Sequence, residues 1–155
     1  MRKILFICTG NFYRSRFAEA IFNHYSELSG LKWRAFSRGL AIHMACGDLS
    51  PLTESELRKR GIPLAHTGAT RVQLREVDLL MAHSIIALRK QEHMPMVRAM
   101  FPQYVHRVEY WNVSDIDETH PDSAFADIEE RVLALIGRLQ QKRGILATLF
   151  GSLRR

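Results

Sequence analysis

Cys8 and Arg14 stand six positions apart in the run Cys8-Thr9-Gly10-Asn11-Phe12-Tyr13-Arg14-Ser15. A thiol and a guanidinium at that spacing can bracket a tight loop whose backbone N–H groups all point inward. Such a concavity binds a tetrahedral oxyanion, because the amides and the N-terminus of a following helix supply positive potential. The same field stabilises a thiolate, the nucleophilic form of cysteine. The chemistry that suits this arrangement is phosphoryl transfer from a monoester through a phosphocysteine.

The bare spacing arises by chance in many chains, so the elements that must position it carry weight. Lys3-Ile4-Leu5-Phe6-Ile7 reads as a short buried strand, and Ala18, Ile21, Phe22, Tyr25 and Leu28 recur afterwards at helical spacing. Strand, turn and helix in that order leave a phosphate site at the carboxyl end of a strand. Apolar runs at Ile4–Ile7, Trp33–Phe36, Val77–Met81 and Val105–Trp111 read as strands. Helical patterns fall at Arg16–Leu28, Pro51–Arg60 and Ile85–Glu92. Ser50 before Pro51 supplies a cap with proline in the first turn, and Gly61 stops that helix. A last helix places Phe125, Ile128, Val132, Leu135 and Leu139 on one face, with Asp127, Glu129 and Glu130 expected in its first turn, where the helix dipole favours acids. Strands alternating with helices predict an α/β fold, a parallel sheet covered on both faces with right-handed crossovers.

With these residues in order, the chain resembles the low-molecular-weight protein tyrosine phosphatases, whose loop reads Cys-x-Gly-Asn-x-Cys-Arg-Ser. Cys8, Gly10, Asn11, Arg14 and Ser15 are in register with it. Phe17-Ala18-Glu19-Ala20, Ser37-Arg38-Gly39, Gly61-Ile62, Asp78-Leu79-Leu80-Met81-Ala82 and Val113-Ser114-Asp115 follow in family order. The resemblance implies a single-domain three-layer sandwich with a four-stranded parallel sheet. It covers about residues 1–140, and the domain is read as residues 1–139 with a basic and apolar extension at 140–155.

The resemblance also implies roles. Cys8 would be the nucleophile, and Arg14 the planar fork that clamps equatorial phosphate oxygens. Thr9, Gly10, Asn11, Phe12, Tyr13, Arg14 and Ser15 would form the phosphate-binding loop. Ser15 would donate to the Cys8 thiolate. Asn11 would hold the strained loop backbone with Ser37 as its hydrogen-bond partner, and Gly10 would let the main chain approach phosphate. A leaving alkoxide or phenoxide needs a proton from a carboxylic acid. Asp115 matches the family's late aspartate, and Asp117 competes with it. No metal or cofactor is expected.

Three departures stand out. Tyr13 replaces a second cysteine that can shelter the nucleophile from over-oxidation; it lines the mouth of the site or fills space against the first helix. Ile116 follows Asp115 where the family has proline. The stretch Ala41–Gly47 offers no aromatic wall beyond His43, which weakens the case for phosphotyrosine, although Phe12 can supply one apolar wall. A phosphorylated protein or a small phosphate ester remains the expected substrate.

Composition narrows the alternatives. A chain of 155 residues with 46% hydrophobic and 25% charged residues suits one globular domain. Two cysteines argue against a secreted disulfide scaffold and fit a cytoplasmic protein. The opening apolar run is too short for a signal peptide. The net charge of +6 suits steering of anionic substrates. Its basic residues are spread out, with no nucleic-acid recognition motif. The tail, with Lys142-Arg143 and Arg154-Arg155 around an apolar stretch, reads as a partly packed appendage in preference to a membrane contact. Asp115-Ile116-Asp117-Glu118-Thr119 spells a haloacid-dehalogenase signature, but too late in the chain for that fold. An arsenate reductase would need more thiols than Cys46 to carry oxidation away. A non-catalytic phosphate-binding module is the remaining alternative, against which a retained Cys8 thiol argues.

Overall fold

The computed structural model describes residues 1–152, apart from the side chains of residue 143 and residues 146–152. The chain runs β1 (Arg2–Cys8), α1 (Arg14–Leu28), β2 (Trp33–Gly39), α2 (Pro51–Lys59), α3 (Glu76–Met81), β3 (Ser84–Ala87), α4 (Lys90–Met100), β4 (Val108–Tyr110) and α5 (Pro121–Ser152). Short 3-10 turns lie at Ile42–Met44, Leu64–His66 and Pro102–Arg107. The strands form one sheet in the order β2-β1-β3-β4, every pair parallel.

The period-two geometry of a strand sorts β1 into two cores. Ile4 and Phe6, with Ile86 of β3, face α1 and α5, where Phe17, Ile21, Phe22, Phe125, Ile128 and Val132 are buried. Leu5 and Ile7, with Ile85 and Ala87, face Leu79 of α3, Val97 of α4 and Tyr104 of the 102–107 turn. A sheet covered on both faces needs continuous apolar strands, which is why β1 shows no polar alternation past Lys3. Each fully buried Phe, Ile or Leu contributes roughly 1.5–3 kcal/mol, so the two cores hold the sheet rigidly under the loop that follows β1. The order reverses between β1 and β3, and the crevice at their carboxyl ends is where such sheets take ligands.

Three predicted elements differ from those observed. The run Val77–Met81, expected as a strand, lies within helix α3, and Ile85–Ala87, expected in a helix, belong to strand β3. Val77, Leu80 and Met81 are exposed and only Asp78 and Leu79 of α3 are buried, so this apolar run faces solvent and builds no sheet. Asp78 Oδ2 accepts the Arg75 N–H at 2.9 Å and starts the helix. The helix expected over Ile85–Glu92 instead begins at Lys90. The strand expected over Val105–Trp111 is confined to Val108–Tyr110, the residues before it forming the 3-10 turn.

Helix α5 starts at Pro121, so Asp122 stands in its first turn where Asp127, Glu129 and Glu130 were expected; it passes residue 140 without a break, and Leu139 packs on the larger core while Ile145 is exposed. The terminal Arg154-Arg155 pair lies outside the described residues. No described helix is long and apolar enough to cross a membrane.

Candidate active site

Cys8 ends β1 at the sheet's carboxyl edge, buried, and the chain turns at once into the loop 9–13 before α1. Asn11 adopts φ 50°, the left-handed region that asparagine tolerates. Its side chain holds that turn from three sides. Asn11 Oδ1 accepts the Val72 N–H at 2.9 Å, which fixes the amide so that Nδ2 faces Ser15 Oγ (3.0 Å) and Ser37 Oγ (2.9 Å). Ser37 in turn donates to Glu19 Oε2 at 2.6 Å. Ser15 therefore accepts from Asn11, which leaves its own proton available to a thiolate on Cys8, whose Sγ lies 2.9 Å away.

The loop is braced from below by Gly39. A Cβ there would stand 2.7 Å from Ile42 Cγ2 and 2.9 Å from both the Asn11 nitrogen and the Thr9 oxygen. Only glycine lets β2 pass this close to the loop. Leu40 and Ala41 N–H groups bond the Cys8 and Thr9 carbonyls, tying the loop to the segment that forms one wall of the site. Below it, fully buried Arg16 donates to Thr67 Oγ1 and to the carbonyls of Asp48 and Gly68, joining that wall to the segment after α2. Glu19 lies 4.0 Å from Arg16. Burial raises the Glu19 carboxyl, while the Ser37 and Thr67 hydroxyls oppose the rise.

Arg14 opens α1, whose first turn carries no side-chain cap. Its guanidinium is buried and nearly saturated. Nη1 donates to Glu92 Oε2 (2.9 Å) and the Val113 carbonyl (3.2 Å), and Nη2 to Glu92 Oε1 (2.8 Å) and Asp115 Oδ2 (2.8 Å). Glu92 thus takes the end-on fork of Nη1 and Nη2. Among the described residues Nε makes no hydrogen bond, so in the side fork of Nε and Nη2 only the Nη2 half is taken, by Asp115.

Glu92 itself, on the first turn of α4, also accepts the Thr9 hydroxyl at 2.6 Å. His93 is fully buried; its Nδ1 accepts the Arg89 N–H, which places the proton on Nε2, 3.3 Å from Glu92 Oε1 but poorly aligned with it. Partial burial works to raise the Glu92 carboxyl, but the His93 edge, Arg14 and Thr9 outweigh it and hold the group well below the usual carboxylate range. Burial, reinforced by Asp115, pushes the Tyr13 phenol up to about 12.

Cys8, Thr9, Tyr13, Arg14 and Glu92 line one cleft of about 320 Å³ together with Phe12, Met44, Asp115 and Asp117. A second cleft at the opposite end of the sheet, bordered by Arg2, Trp33 and Leu139, holds neither thiol nor carboxylate.

Residues 3–144 match the family described as low molecular weight phosphotyrosine protein phosphatase. The chain belongs to that family. The protein-arginine-phosphatase of Bacillus subtilis (strain 168) is 27% identical over 129 residues, spanning 81% of this chain and 83% of that protein. The structure of YfkJ from Bacillus subtilis superposes with a TM-score of 0.79 at 26% identity, covering 92% of this chain and 96% of its own. The low molecular weight protein tyrosine phosphatase from T. tengcongensis gives 0.77 at 25% identity, covering 89% and 99% respectively.

Against this phosphatase frame, the structure gathers Cys8, Thr9, Gly10, Phe12, Tyr13, Arg14, Asp115 and Asp117 at one cleft. Asn11, Ser15 and Ser37 form the bracing network beneath it. Asp115 reaches Arg14, whereas Asp117 lines the same cleft without contacting the guanidinium. Tyr13 borders the cleft, as the first of its two expected placements has it; the ring contact it makes is with Phe125 of α5, at 5.2 Å between ring centroids, and not with the first helix as the second had it. Glu92 escaped the sequence reading. No local motif marks it, and its partner Arg14 lies 78 residues away. A charged residue in the first turn after a strand, on the site's edge of the sheet, was the one available signal.

Proposed function

We propose that this chain is a metal-independent phosphomonoesterase that forms a phosphocysteine on Cys8 and uses Asp115 as general acid and then base. The observation that carries the reading is the Cys8 Sγ–Ser15 Oγ contact of 2.9 Å under a loop whose Arg14 guanidinium is held by two carboxylates, one of them on the segment between β4 and α5 at the cleft. Phosphate would lie against the loop amides and the side fork of Arg14. A bidentate grip needs both Nε and Nη2, so the substrate must displace Asp115 from Nη2. The displaced carboxyl is then beside the leaving group.

In the first step Cys8 Sγ attacks phosphorus, the P–O ester bond breaks, and Asp115 hands its proton to the leaving oxygen. Loop amides and Arg14 stabilise the charge spread over the equatorial oxygens. In the second step water attacks phosphorus and gives its proton to Asp115, the P–S bond breaks, and the leaving thiolate is met by the Ser15 hydroxyl. Glu92 would keep Arg14 pointing into the cleft throughout.

The substrate proposed is a phosphorylated protein side chain. Support comes from the family, described as phosphotyrosine protein phosphatases, and from the relative described as a protein-arginine-phosphatase. Apolar Phe12, Met44 and Ile116 beside the cleft suit the stem or ring of such a side chain.

The test is hydrolysis of 4-nitrophenyl phosphate with EDTA present, comparing the parent with Cys8→Ser and Asp115→Asn. Turnover by the parent that vanishes in Cys8→Ser is the expected result. A parent that binds inorganic phosphate without turning over any ester would overturn the enzymatic reading.

A further inference from the structure

We propose that Arg89 is a positioning residue for general-acid catalysis, holding the Asp115 turn over the cleft through Glu118 after substrate has displaced Asp115 from Arg14. The inference rests on the proposed role of Asp115 and adds a residue that the site description leaves without a task.

Arg89 lies in the short connection between β3 and α4, and its backbone is fixed on every side. It bridges Asn112 beyond β4, its N–H donates to His93 Nδ1 at 2.9 Å, and its carbonyl accepts the His93 N–H at 2.8 Å. Flanking it, Val113 N–H bonds the Leu88 carbonyl and Lys90 N–H the Trp111 carbonyl. From this rigid base the guanidinium Nη1 reaches Glu118 Oε2 at 2.5 Å. The Glu118 hydrogen bond pushes Arg89 up, and the same bond pulls the Glu118 carboxyl down.

Glu118 is coupled to the acid by the turn that joins them. Glu118 and Thr119 N–H groups both donate to the Asp115 carbonyl, at 3.0 and 3.2 Å. Asp115 Oδ1 accepts the Ile116 N–H at 2.8 Å, so the carboxyl is seated on its own turn by one oxygen and on Arg14 by the other. When phosphate takes the Arg14 fork, the second anchor is lost and the first remains. Ile116 is exposed, so the turn has no apolar side chain to hold it down. The Arg89–Glu118 pair is then the side-chain tie between this turn and the sheet. The charged groups facing Arg89 are Glu118 and Glu92, which attract it, and Arg14, which opposes it.

A merely structural role would slow every substrate alike, whereas a general-acid role depends on the leaving group. The parameter to read is kcat/KM, which reports the first chemical step. Phenyl phosphate releases a phenoxide whose conjugate acid has a pKa of about 10 and needs the proton; 4-nitrophenyl phosphate releases a far better leaving group. Arg89→Met and Glu118→Gln should each lower kcat/KM for phenyl phosphate about fivefold, the worth of one well-placed surface ion pair. For 4-nitrophenyl phosphate the change should stay within about twofold. The double variant should be no worse than either single one, and the exchange Arg89→Glu/Glu118→Arg should recover most of the loss. Equal losses on both esters, or no loss on either, overturn the proposal. Asp115→Asn in the same assay separates this from the reading beneath it. A parent that turns over while Asp115→Asn shows no leaving-group dependence removes Asp115 as the acid, and Arg89 falls with it. A strong dependence in Asp115→Asn with none in Arg89→Met sinks Arg89 alone.

Discussion

Asp115→Asn should bind inorganic phosphate more tightly than the parent while losing most of its catalysis. Arg14 has five N–H donors. Four are committed: two to Glu92, one to the Val113 carbonyl and one to Asp115. A bidentate phosphate needs the free Nε–H and one more, and the Asp115 contact is the cheapest to break. The Asp115 side chain is 37% exposed, so water takes over its solvation on release, whereas Glu92 is 27% exposed and bonded through both oxygens. A pair with one solvated partner is worth about 1 kcal/mol, which converts to about a fivefold gain in phosphate affinity when the competing charge is removed. Relief of carboxylate–dianion repulsion acts in the same direction. Titration calorimetry with inorganic phosphate in EDTA-containing buffer measures the affinity. The same protein should lose roughly 10²–10⁴-fold in kcat/KM on phenyl phosphate. Unchanged or weaker phosphate binding would refute the argument that Asp115 occupies the anion's place on Arg14.

Three other perturbations test the frame around the site. Glu92→Gln should destabilise the protein by about 2 kcal/mol at neutral pH, because it removes a charged hydrogen-bond acceptor from buried Arg14. The folded-state value of Glu92 lies below its unfolded value, so its contribution is complete above the ordinary carboxylate range and lost as pH falls below it. Urea unfolding from about pH 6 down to about pH 3 should show a loss of stability in the parent that is shallower in Glu92→Gln. Arg16→Met leaves Glu19 buried beside two hydroxyls without its cation and should cost about 3–5 kcal/mol, read as a fall in Tm of roughly 10 °C. Restored stability in Arg16→Met/Glu19→Gln would support that account, and a Tm unchanged in Arg16→Met would refute it. Gly39→Ala drives a Cβ to within 2.9 Å of loop backbone at Asn11 and Thr9. The loop must move, and phosphate affinity should fall more than about tenfold with about 1–3 kcal/mol of stability lost. Phosphate binding at the parent's level in that variant would show that the close approach is dispensable.

Short-range signals were legible where one segment carries both the structure and its boundary. The buried run Ile4–Ile7, the loop from Cys8 and the helix after it follow directly from residue order, as do Pro51 at the start of α2 and the apolar face of α5, although Ser50 takes the cap position without the expected side-chain cap bond. The exchange of α3 and β3 shows the opposite case. Val77–Met81 and Ile85–Ala87 are both short apolar runs, and periodicity does not separate a short buried strand from a short helix. Burial does: Ile85, Ile86 and Ala87 fit between β1 and β4, whereas Val77 and Leu80 have no sheet to join.

What the residues determined by themselves is the Cys8–Ser15 loop, proposed to hold the nucleophile and the anion, and the α/β alternation that sets it at a strand's carboxyl end. All of these are local, since adjacent residues share one turn. Tertiary structure decided which carboxylates meet Arg14. Glu92 and Asp115 come to it from two different segments, 78 and 101 residues along the chain, because the parallel order β2-β1-β3-β4 brings the ends of β3 and β4 beside the end of β1. Whether a carboxylate holds Arg14 or guards it depends on its distance and solvation in space. Chain order carries neither.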